Sequence, residues 1–182
     1  MKVLKMELPG LLLMEPDVYA DRRGYFMETW NRRSLEEAGV KCNFVQDNES
    51  FSHYGVLRGL HYQRTPYGQA KLVRCSVGRI LDVALDIRPG SPTFGRHVAV
   101  ELTADNRRQF FIPAGFAHGF IVLSDTALVN YKCDEHRVPE AEAGIDAADA
   151  SLGIDWRLPA AEWIRSERDG SLPSFTEATA GL

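Results

Sequence analysis

The stretch Val56-Leu-Arg-Gly-Leu-His-Tyr-Gln63 decides how this sequence is interpreted. It has the length and the residue types of a β-strand, because apolar residues recur along it and turn residues flank it. It also carries Arg58, His61 and Gln63 within six positions. A short strand rarely has three such polar side chains unless they serve a purpose, so the stretch predicts a strand that borders a functional site.

Other short segments of the same kind extend from residue 11 to residue 133, and turn residues separate them. Many short strands at this spacing are typical of β-sandwiches and closed barrels, among which jelly rolls are common. A helix is indicated only at Ser34-Leu-Glu-Glu37, a capping box that predicts a helix at about Leu35–Ala38, ending at Gly39. The predicted strands are Leu11–Met14, Gly24–Trp30, Phe44–Asn48, Val56–Gln63, Ala70–Val77, Arg79–Ile87, His97–Leu102, Gln109–Ile112, Phe116–Leu123 and Ala127–Cys133.

The chain of 182 residues has the length of a single domain, so we expect one domain over residues 1–182. From about Pro139 onward the strand pattern weakens, and apolar residues such as Trp156 and Trp163 are scattered. We expect this C-terminal segment, about residues 140–182, to pack on the barrel as a tail. Its last residues, Glu177–Leu182, are expected to fray.

The composition argues against several classes of protein. A net charge of −4 gives no electrostatic basis for binding nucleic acid or an anionic membrane. No apolar run approaches the ~18 residues of a membrane span, and no signal-type apolar region follows the N-terminus. The cysteines Cys42, Cys75 and Cys133 are odd in number and lack CxxC spacing, which favours reduced thiols. We therefore expect a cytoplasmic protein whose partners include neither nucleic acid nor membrane.

A metal site is not predicted. Jelly rolls that bind metal place two histidines two residues apart on a strand, followed by a carboxylate and a third histidine. Here Gln63 stands two residues after His61, and Lys71 stands where the carboxylate is expected, which leaves His118 as the distant histidine. A lysine beside a metal ion would be repelled. Nucleophile-elbow, dinucleotide-binding and P-loop motifs are also absent from the sequence.

Acid–base chemistry is the remaining possibility. His61 is the natural base, because the pKa of an unperturbed histidine lies near neutral pH. Arg58 and Lys71 supply positive charge that suits phosphate and a developing enolate, and Tyr131 can donate a proton. An ordinary structural role stays open for each: a core histidine, a solvated basic face and a packing aromatic.

Seven blocks of sequence follow one another along the chain. The blocks are Asp21-Arg-Arg-Gly-Tyr-Phe-Met-Glu28, Gln46-Asp-Asn-Glu-Ser50, Val56–Gln63, Lys71-Leu-Val-Arg-Cys-Ser-Val-Gly78, Asp82-Val-Ala-Leu-Asp-Ile-Arg88, Ser91-Pro-Thr-Phe-Gly95 and Ile112-Pro-Ala-Gly-Phe-Ala-His-Gly-Phe120. Taken in this order, they resemble the dTDP-4-dehydrorhamnose 3,5-epimerases. The resemblance extends from about Gly10 to Pro173. It implies a cupin-type jelly roll, a homodimer with exchanged strands, and no metal or organic cofactor. It also implies inversion of C3 and C5 in a nucleotide-linked 4-keto-6-deoxyhexose.

The resemblance assigns a role to each catalytic position. It implies that His61 removes the proton and that Asp169 orients His61. It implies that Lys71 stabilises the enolate oxygen and that Tyr131 returns a proton from the opposite face. Substrate-binding positions are implied for the sugar and diphosphate, for the nucleotide, and for a segment that reaches into the partner's site. They are Arg58 and His118; Gln46 and Asn48; and Arg23, Phe26 and Glu28. Glu142 and Arg168 match more distant ligand contacts.

One departure from the family pattern concerns the nucleotide base. The family usually has a pair of tyrosines before a proline here, and one of them stacks on thymine. This chain has His136-Arg-Val-Pro139, so Arg137 falls at the stacking position. A guanidinium can stack on a base, or Arg137 can be a solvent-exposed loop residue.

Several alternatives therefore stay open at this stage. Within enzymes they are an epimerase that inverts only C3 or only C5, a 3,4-ketoisomerase-like relative and a metal-dependent cupin oxygenase. Outside enzymes the alternative is a cupin that binds a sugar nucleotide without catalysis.

Overall fold

The computed structural model describes residues 1–181, and its regular structure consists mostly of strands. The helices are α1 (Arg32–Glu37), α2 (Glu167–Gly170) and α3 (Phe175–Thr179), and short 3₁₀ turns occur in the C-terminal segment. The strands are β1 (Lys2–Lys5), β2 (Leu12–Glu15), β3 (Val18–Asp21), β4 (Gly24–Met27), β5 (Gln46–His53), β6 (Leu57–Gln63), β7 (Lys71–Val77), β8 (Arg79–Asp86), β9 (His97–Thr103), β10 (Gln109–Ile112), β11 (Phe116–Val122), β12 (Thr126–Cys133) and β13 (Glu142–Gly144).

Two antiparallel sheets form the barrel. One has the strand order β1-β2-β10-β7-β12-β5, and the other has the order β13-β6-β11-β8-β9. Buried side chains from both sheets, including Val73, Phe110, Phe116 and Phe120, pack into one core between them. From β6 to β12 the chain crosses repeatedly between the two sheets, and only β8 and β9 are successive strands of the same sheet. This jelly-roll arrangement confirms the predicted all-β fold.

The C-terminal segment covers the outer face of the five-stranded sheet. Trp156 is buried there against the apolar residues of β6 and β8, and its Nε1 donates to the Ala147 carbonyl oxygen at 2.9 Å. Helix α3 begins with a capping box between Ser174 and Glu177. The expectation that the chain frays from Glu177 is therefore wrong through Thr179, and Leu182 lies outside the described residues.

Helix α1 begins three residues earlier than the sequence predicts. The Asn31 side chain accepts hydrogen bonds from the backbone nitrogens of Arg33 and Ser34, so Asn31 is the N-cap and Ser34 lies inside the helix. Within the described residues, no helix is long and apolar enough to cross a membrane.

A close approach between β6 and β11 determines the geometry of the site. Gly59 has a φ of +121°, and a Cβ atom on it would lie 2.5 Å from the Cα of Gly119. Only glycine fits such a contact. The register of the two strands shifts between His118 and Phe120, and His118 pairs directly with His61. Directly paired residues share one face of a sheet, so the two histidines lie side by side.

Candidate active site

A cavity of about 270 Å³ lies between the two sheets, and both contribute to its walls. β6 and β11 supply one wall, and β5, β7 and β12 supply the other. Most positions predicted from the sequence are brought together here. Those that line the cavity are Gln46, Asn48, Arg58, His61, Lys71, His118, Tyr131, Arg137, Glu142 and Arg168.

His61 is hydrogen-bonded to the buried Asp169, which lies behind it on α2. The distance from His61 Nε2 to Asp169 Oδ1 is 2.6 Å, and Gly59 N donates to Asp169 Oδ2 at 3.3 Å. Burial alone would raise the pKa of Asp169, but the hydrogen bond and charge of His61 outweigh it and hold that pKa below its ordinary value. An ionised Asp169 accepts a hydrogen bond from Nε2–H, which leaves Nδ1 with the lone pair that a base needs.

A second histidine–carboxylate pair adjoins the first. His118 Nε2 lies 3.0 and 2.9 Å from the two oxygens of Asp82, whose carboxylate is fully buried. Burial raises the pKa of Asp82, and His118 and Lys71 oppose that rise. Sequence reasoning did not identify Asp82 as a site residue. A lone carboxylate within the apolar run Ile80-Leu-Asp-Val-Ala84 was the available signal.

Lys71 is buried in the cavity wall at the start of β7. Burial lowers the pKa of Lys71, whereas the nearby Cys133, Asp82 and Asp134 act to raise it. A buried lysine nitrogen beside these acidic groups can donate hydrogen bonds to a negative oxygen within the cavity.

Tyr131 lies on β12, in the sheet opposite His61. Burial raises the pKa of its phenol, and the opposing effects of Arg58 and Arg137 do not cancel that rise. Tyr131 therefore keeps its proton at neutral pH. The cavity thus has a candidate base on one sheet and a candidate acid on the facing sheet.

Polar side chains of β5 and β6 extend the cavity towards its mouth. Arg58 Nε donates to Ser52 Oγ at 3.0 Å, which directs an exposed guanidinium across this end of the cavity. Gln46 Nε2 donates to Asn48 Oδ1 at 2.8 Å, and Asn48 Nδ2 lies 3.4 Å from the carbonyl oxygen of Tyr131. These groups can bind a polar, anionic ligand.

Glu142 holds two arginines at the rim. It accepts from Arg137 Nε at 2.6 Å and from Arg137 Nη2 at 3.1 Å, and it accepts from Arg168 Nη1 at 3.0 Å. The Arg137 hydrogen bond is the largest influence holding the pKa of Glu142 below its ordinary value. Arg137 is solvent-exposed, as the loop interpretation expects, but its guanidinium is fixed in a two-pronged ion pair at the cavity wall.

Arg23, Phe26 and Glu28 lie outside the cavity lining of their own chain. They belong to the hairpin β3–β4 and the residues after it, which project from the barrel. The Phe26 residue is 69% exposed and pairs across the hairpin with Tyr19, which is equally open to solvent. Arg23 is hydrogen-bonded to Asp21.

A metal centre finds no support in this geometry. Among the described residues, no group of three or more His, Cys, Asp or Glu side chains is arranged to hold a metal ion.

Comparison with known proteins gives one consistent family. The family model described as dTDP-4-dehydrorhamnose 3,5-epimerase matches residues 5–177. The dTDP-4-dehydrorhamnose 3,5-epimerase of Shigella flexneri is 51% identical over 179 residues, which are 98% of each chain. A crystal structure of dTDP-6-deoxy-D-glucose-3,5-epimerase from Legionella pneumophila, in complex with dTDP-4-keto-L-rhamnose, superimposes with a TM-score of 0.91. Its sequence is 45% identical, over 95% of this chain and 92% of that chain.

A third similar protein differs in its activity. The 3′-monoepimerase of Streptomyces bikiniensis, solved in complex with dTDP-quinovose, superimposes with a TM-score of 0.89 at 35% identity. The match covers 97% of this chain and 90% of that chain. The same cupin fold therefore accommodates both double and single epimerisation.

Proposed function

Because the chain belongs to the dTDP-4-dehydrorhamnose 3,5-epimerase family and is therefore an epimerase, we propose that it inverts both C3 and C5 of its substrate. The proposed substrate is dTDP-4-dehydro-6-deoxy-D-glucose, and the product is dTDP-4-dehydro-L-rhamnose. The single observation that carries the proposal is the cavity with His61 on one sheet and Tyr131 on the facing sheet.

The proposed reaction begins with proton removal beside the C4 ketone. The lone pair on His61 takes the proton from the substrate carbon, and the bonding electrons move to the ketone oxygen to form an enolate. Asp169 holds the other ring nitrogen of His61 and stabilises the imidazolium that forms. Lys71 stabilises the enolate oxygen, since a preorganised charge in a water-poor site is worth more than one in water.

Inversion requires that the new proton arrive on the opposite face of the sugar. In the proposed mechanism the Tyr131 phenol supplies it, and the enolate electrons form the new C–H bond. Proton exchange with solvent then resets His61 and Tyr131. The same sequence at C5 and at C3 inverts both centres. Only protons are transferred, so no redox cofactor is required.

The remaining cavity residues are proposed to bind the nucleotide part. Arg58, at the mouth, suits the diphosphate, because a guanidinium donates in a fork that matches phosphate oxygens. His118 forms a polar wall beside the sugar. Gln46, Asn48 and Arg137 adjoin one another at the rim and are proposed to hold the nucleoside, with Arg168 and Glu142 next to them.

The active form is proposed to be a homodimer with shared sites. The hairpin β3–β4 exposes Tyr19, Tyr25 and Phe26, and exposed apolar clusters mark interaction surfaces. We propose that this hairpin brings Arg23, Phe26 and Glu28 to the partner's cavity. Phe26→Asp should shift the protein to monomer and reduce turnover, measured by light scattering and by epimerase assay. Val77→Asp, at an exposed valine on β7, is the control, and a dimer unaffected by Phe26→Asp would contradict the assignment.

A cytoplasmic location is also part of the proposal. It rests on Cys42, Cys75 and Cys133, which are unpaired in the described chain and would be prone to pair in an oxidising compartment.

Proton NMR in deuterated water tests the proposed reaction directly. The enzyme is mixed with dTDP-4-dehydro-6-deoxy-D-glucose in the presence of a chelator. Deuterium entering at both C3 and C5 is the expected result. Exchange at one carbon would establish single epimerisation, the candidate favoured by the likeness to the 3′-monoepimerase. No exchange would favour a binding protein, or a metal-dependent enzyme if added metal restored the activity.

A further inference from the structure

The backbone around Arg137 is held by two glutamine side chains. The buried Gln63 donates from Nε2 to the carbonyl oxygens of Tyr67 and His136, at 2.7 and 3.1 Å. Its Oε1 accepts from Val138 N at 2.6 Å. Gln63 therefore binds the residues on both sides of Arg137. Arg137 N itself donates to Gln46 Oε1 at 3.0 Å.

The side chain of Arg137 is fixed from the same place in the fold. Glu142, which binds the guanidinium through Nε and Nη2, lies on β13 and is the direct cross-strand partner of Gln63 on β6. One cross-strand pair thus holds both the backbone and the side chain of Arg137. The 2.6 Å bond from Arg137 Nε to Glu142 is short, as expected where both groups are charged.

The fixed guanidinium has a defined chemical preference. Glu142 accepts from two of its five N–H donors, which leaves the two Nη1 protons and the second Nη2 proton for a ligand. A guanidinium cannot accept a hydrogen bond. A base that presents carbonyl oxygens to it gains hydrogen bonds, whereas a base that presents an amino group leaves donors facing donors.

From this arrangement we propose that the Gln63–Glu142 pair positions Arg137 as the group that selects the nucleotide base. We expect Arg137 to favour a base that presents carbonyl oxygens, such as thymine or uracil. A base with an exocyclic amine, such as cytosine, should bind less tightly. Gln63 is the positioning residue, since it acts through the 136–138 backbone. The inference rests on the proposed function, namely that the cavity takes a nucleotide-linked sugar with its base beside Arg137.

The test compares dTDP with dCDP, which carry the same sugar and phosphates. Binding of each is measured by calorimetry to the wild type and to Gln63→Leu, and proton-exchange kinetics are measured with the dTDP-linked substrate. Loss of the Gln63 hydrogen bonds to the backbone of residues 136 and 138 should weaken dTDP binding about tenfold, the scale of one or two lost hydrogen bonds. KM should rise by a similar factor while kcat stays within about twofold, and the preference for dTDP over dCDP should narrow.

Gln109→Leu is the matched control. Gln109 is also a buried glutamine on a strand, but it lies on β10, outside the lining of the catalytic cavity. Its Nε2 has no hydrogen-bond partner among the described residues. Gln109→Leu should leave both nucleotide affinities and both kinetic constants unchanged. Gln63→Glu is the second test variant, because it keeps an acceptor for Val138 N and loses the donors to Tyr67 and His136.

The outcomes separate the inference from the proposed function. A folded Gln63→Leu or Gln63→Glu protein with unchanged dTDP affinity would overturn the inference, and so would equal weakening of dTDP and dCDP. If the wild type prefers dTDP and Gln63→Leu narrows that preference, the inference holds even when the wild type exchanges no protons. Absence of exchange would then count only against the proposed reaction.

Discussion

Two histidine–carboxylate pairs lie side by side at the cavity. They consist of the same chemical groups but differ in exposure, in the origin of the carboxylate and in the direction of its pKa shift. The His61 side chain is 41% exposed and its carboxylate comes from a helix in the tail, 108 residues away in sequence. The His118 side chain is 9% exposed and its carboxylate comes from the neighbouring strand β8. The pKa of Asp169 is lowered, whereas burial raises the pKa of Asp82.

The difference shows how surroundings separate the roles of identical groups. His61 has an open ring face towards the cavity and an anion that stays ionised, which is what a base requires. His118 is packed, with both oxygens of Asp82 around one nitrogen, and Asp82 also faces Lys71. This second pair is suited to hold a fixed wall and to balance the charge of Lys71.

The largest expected effect comes from removing His61. His61→Ala should lower proton exchange by roughly 10²–10⁴-fold, the usual contribution of a general base, while dTDP binding stays within about threefold. Deuterium incorporation followed by NMR measures the first, and calorimetry measures the second. Exchange at the wild-type rate would remove His61 as the base and break the contrast with His118.

The facing acid should give a smaller and more selective loss. Tyr131→Phe should lower product formation by roughly 10²-fold, but deuterium should still enter the substrate, because His61 can remove a proton and return one to the same face. NMR of recovered substrate and of product separates the two. Equal loss of exchange and inversion would contradict the role of Tyr131 as the acid on the opposite face.

The sequence predicts the barrel well where local pattern determines the strand. Gln109–Ile112 matches β10 at both ends, and the strands from β6 to β12 begin and end within one residue of their predicted bounds. β1, β3 and β13 were missed, since none of them has the length or apolar pattern of a core strand. β13 has only three residues, and its pairing with β6 is set by tertiary contact.

The site could be predicted only in part, for a related physical reason. The residue types and the sequence blocks indicate His61, Lys71 and Tyr131. The spacing of His118 and Asp82 along the sequence does not indicate that their side chains are hydrogen-bonded. The hydrogen bonds that fix Arg137 could not be predicted either, because they depend on Gln63 and Glu142 being cross-strand partners. Contacts between residues on different strands leave no periodic pattern in the sequence from which they could be predicted.

His118 should matter less to the chemical step than His61 does. His118→Asn keeps a polar side chain of smaller size and should raise KM roughly tenfold, with kcat changed by less than that factor. Steady-state kinetics with the dTDP-linked substrate measure both constants. A loss of kcat as large as that of His61→Ala would mean that the buried pair also takes part in proton transfer.

The smallest effect concerns stability, where the two carboxylates should respond to pH with opposite signs. The pKa of Asp169 lies below its ordinary value of 3.8, so its ionised form stabilises the fold at neutral pH, and this contribution is lost as the pH falls through the folded-state pKa. The pKa of Asp82 lies above its ordinary value of 3.8, so its protonated form stabilises the fold. This contribution to stability is complete below pH 3.8 and is lost as the pH rises through the folded-state pKa.

Urea unfolding at acid and at neutral pH distinguishes the two. Asp169→Asn should be less stable than the wild type by about 1–3 kcal/mol at neutral pH, and the deficit should shrink on acidification. Asp82→Asn should instead gain stability relative to the wild type as the pH rises. If both variants shifted in the same direction, the opposite pKa shifts of the two carboxylates would be contradicted. The distinction between the catalytic pair and the supporting pair would then rest on geometry alone.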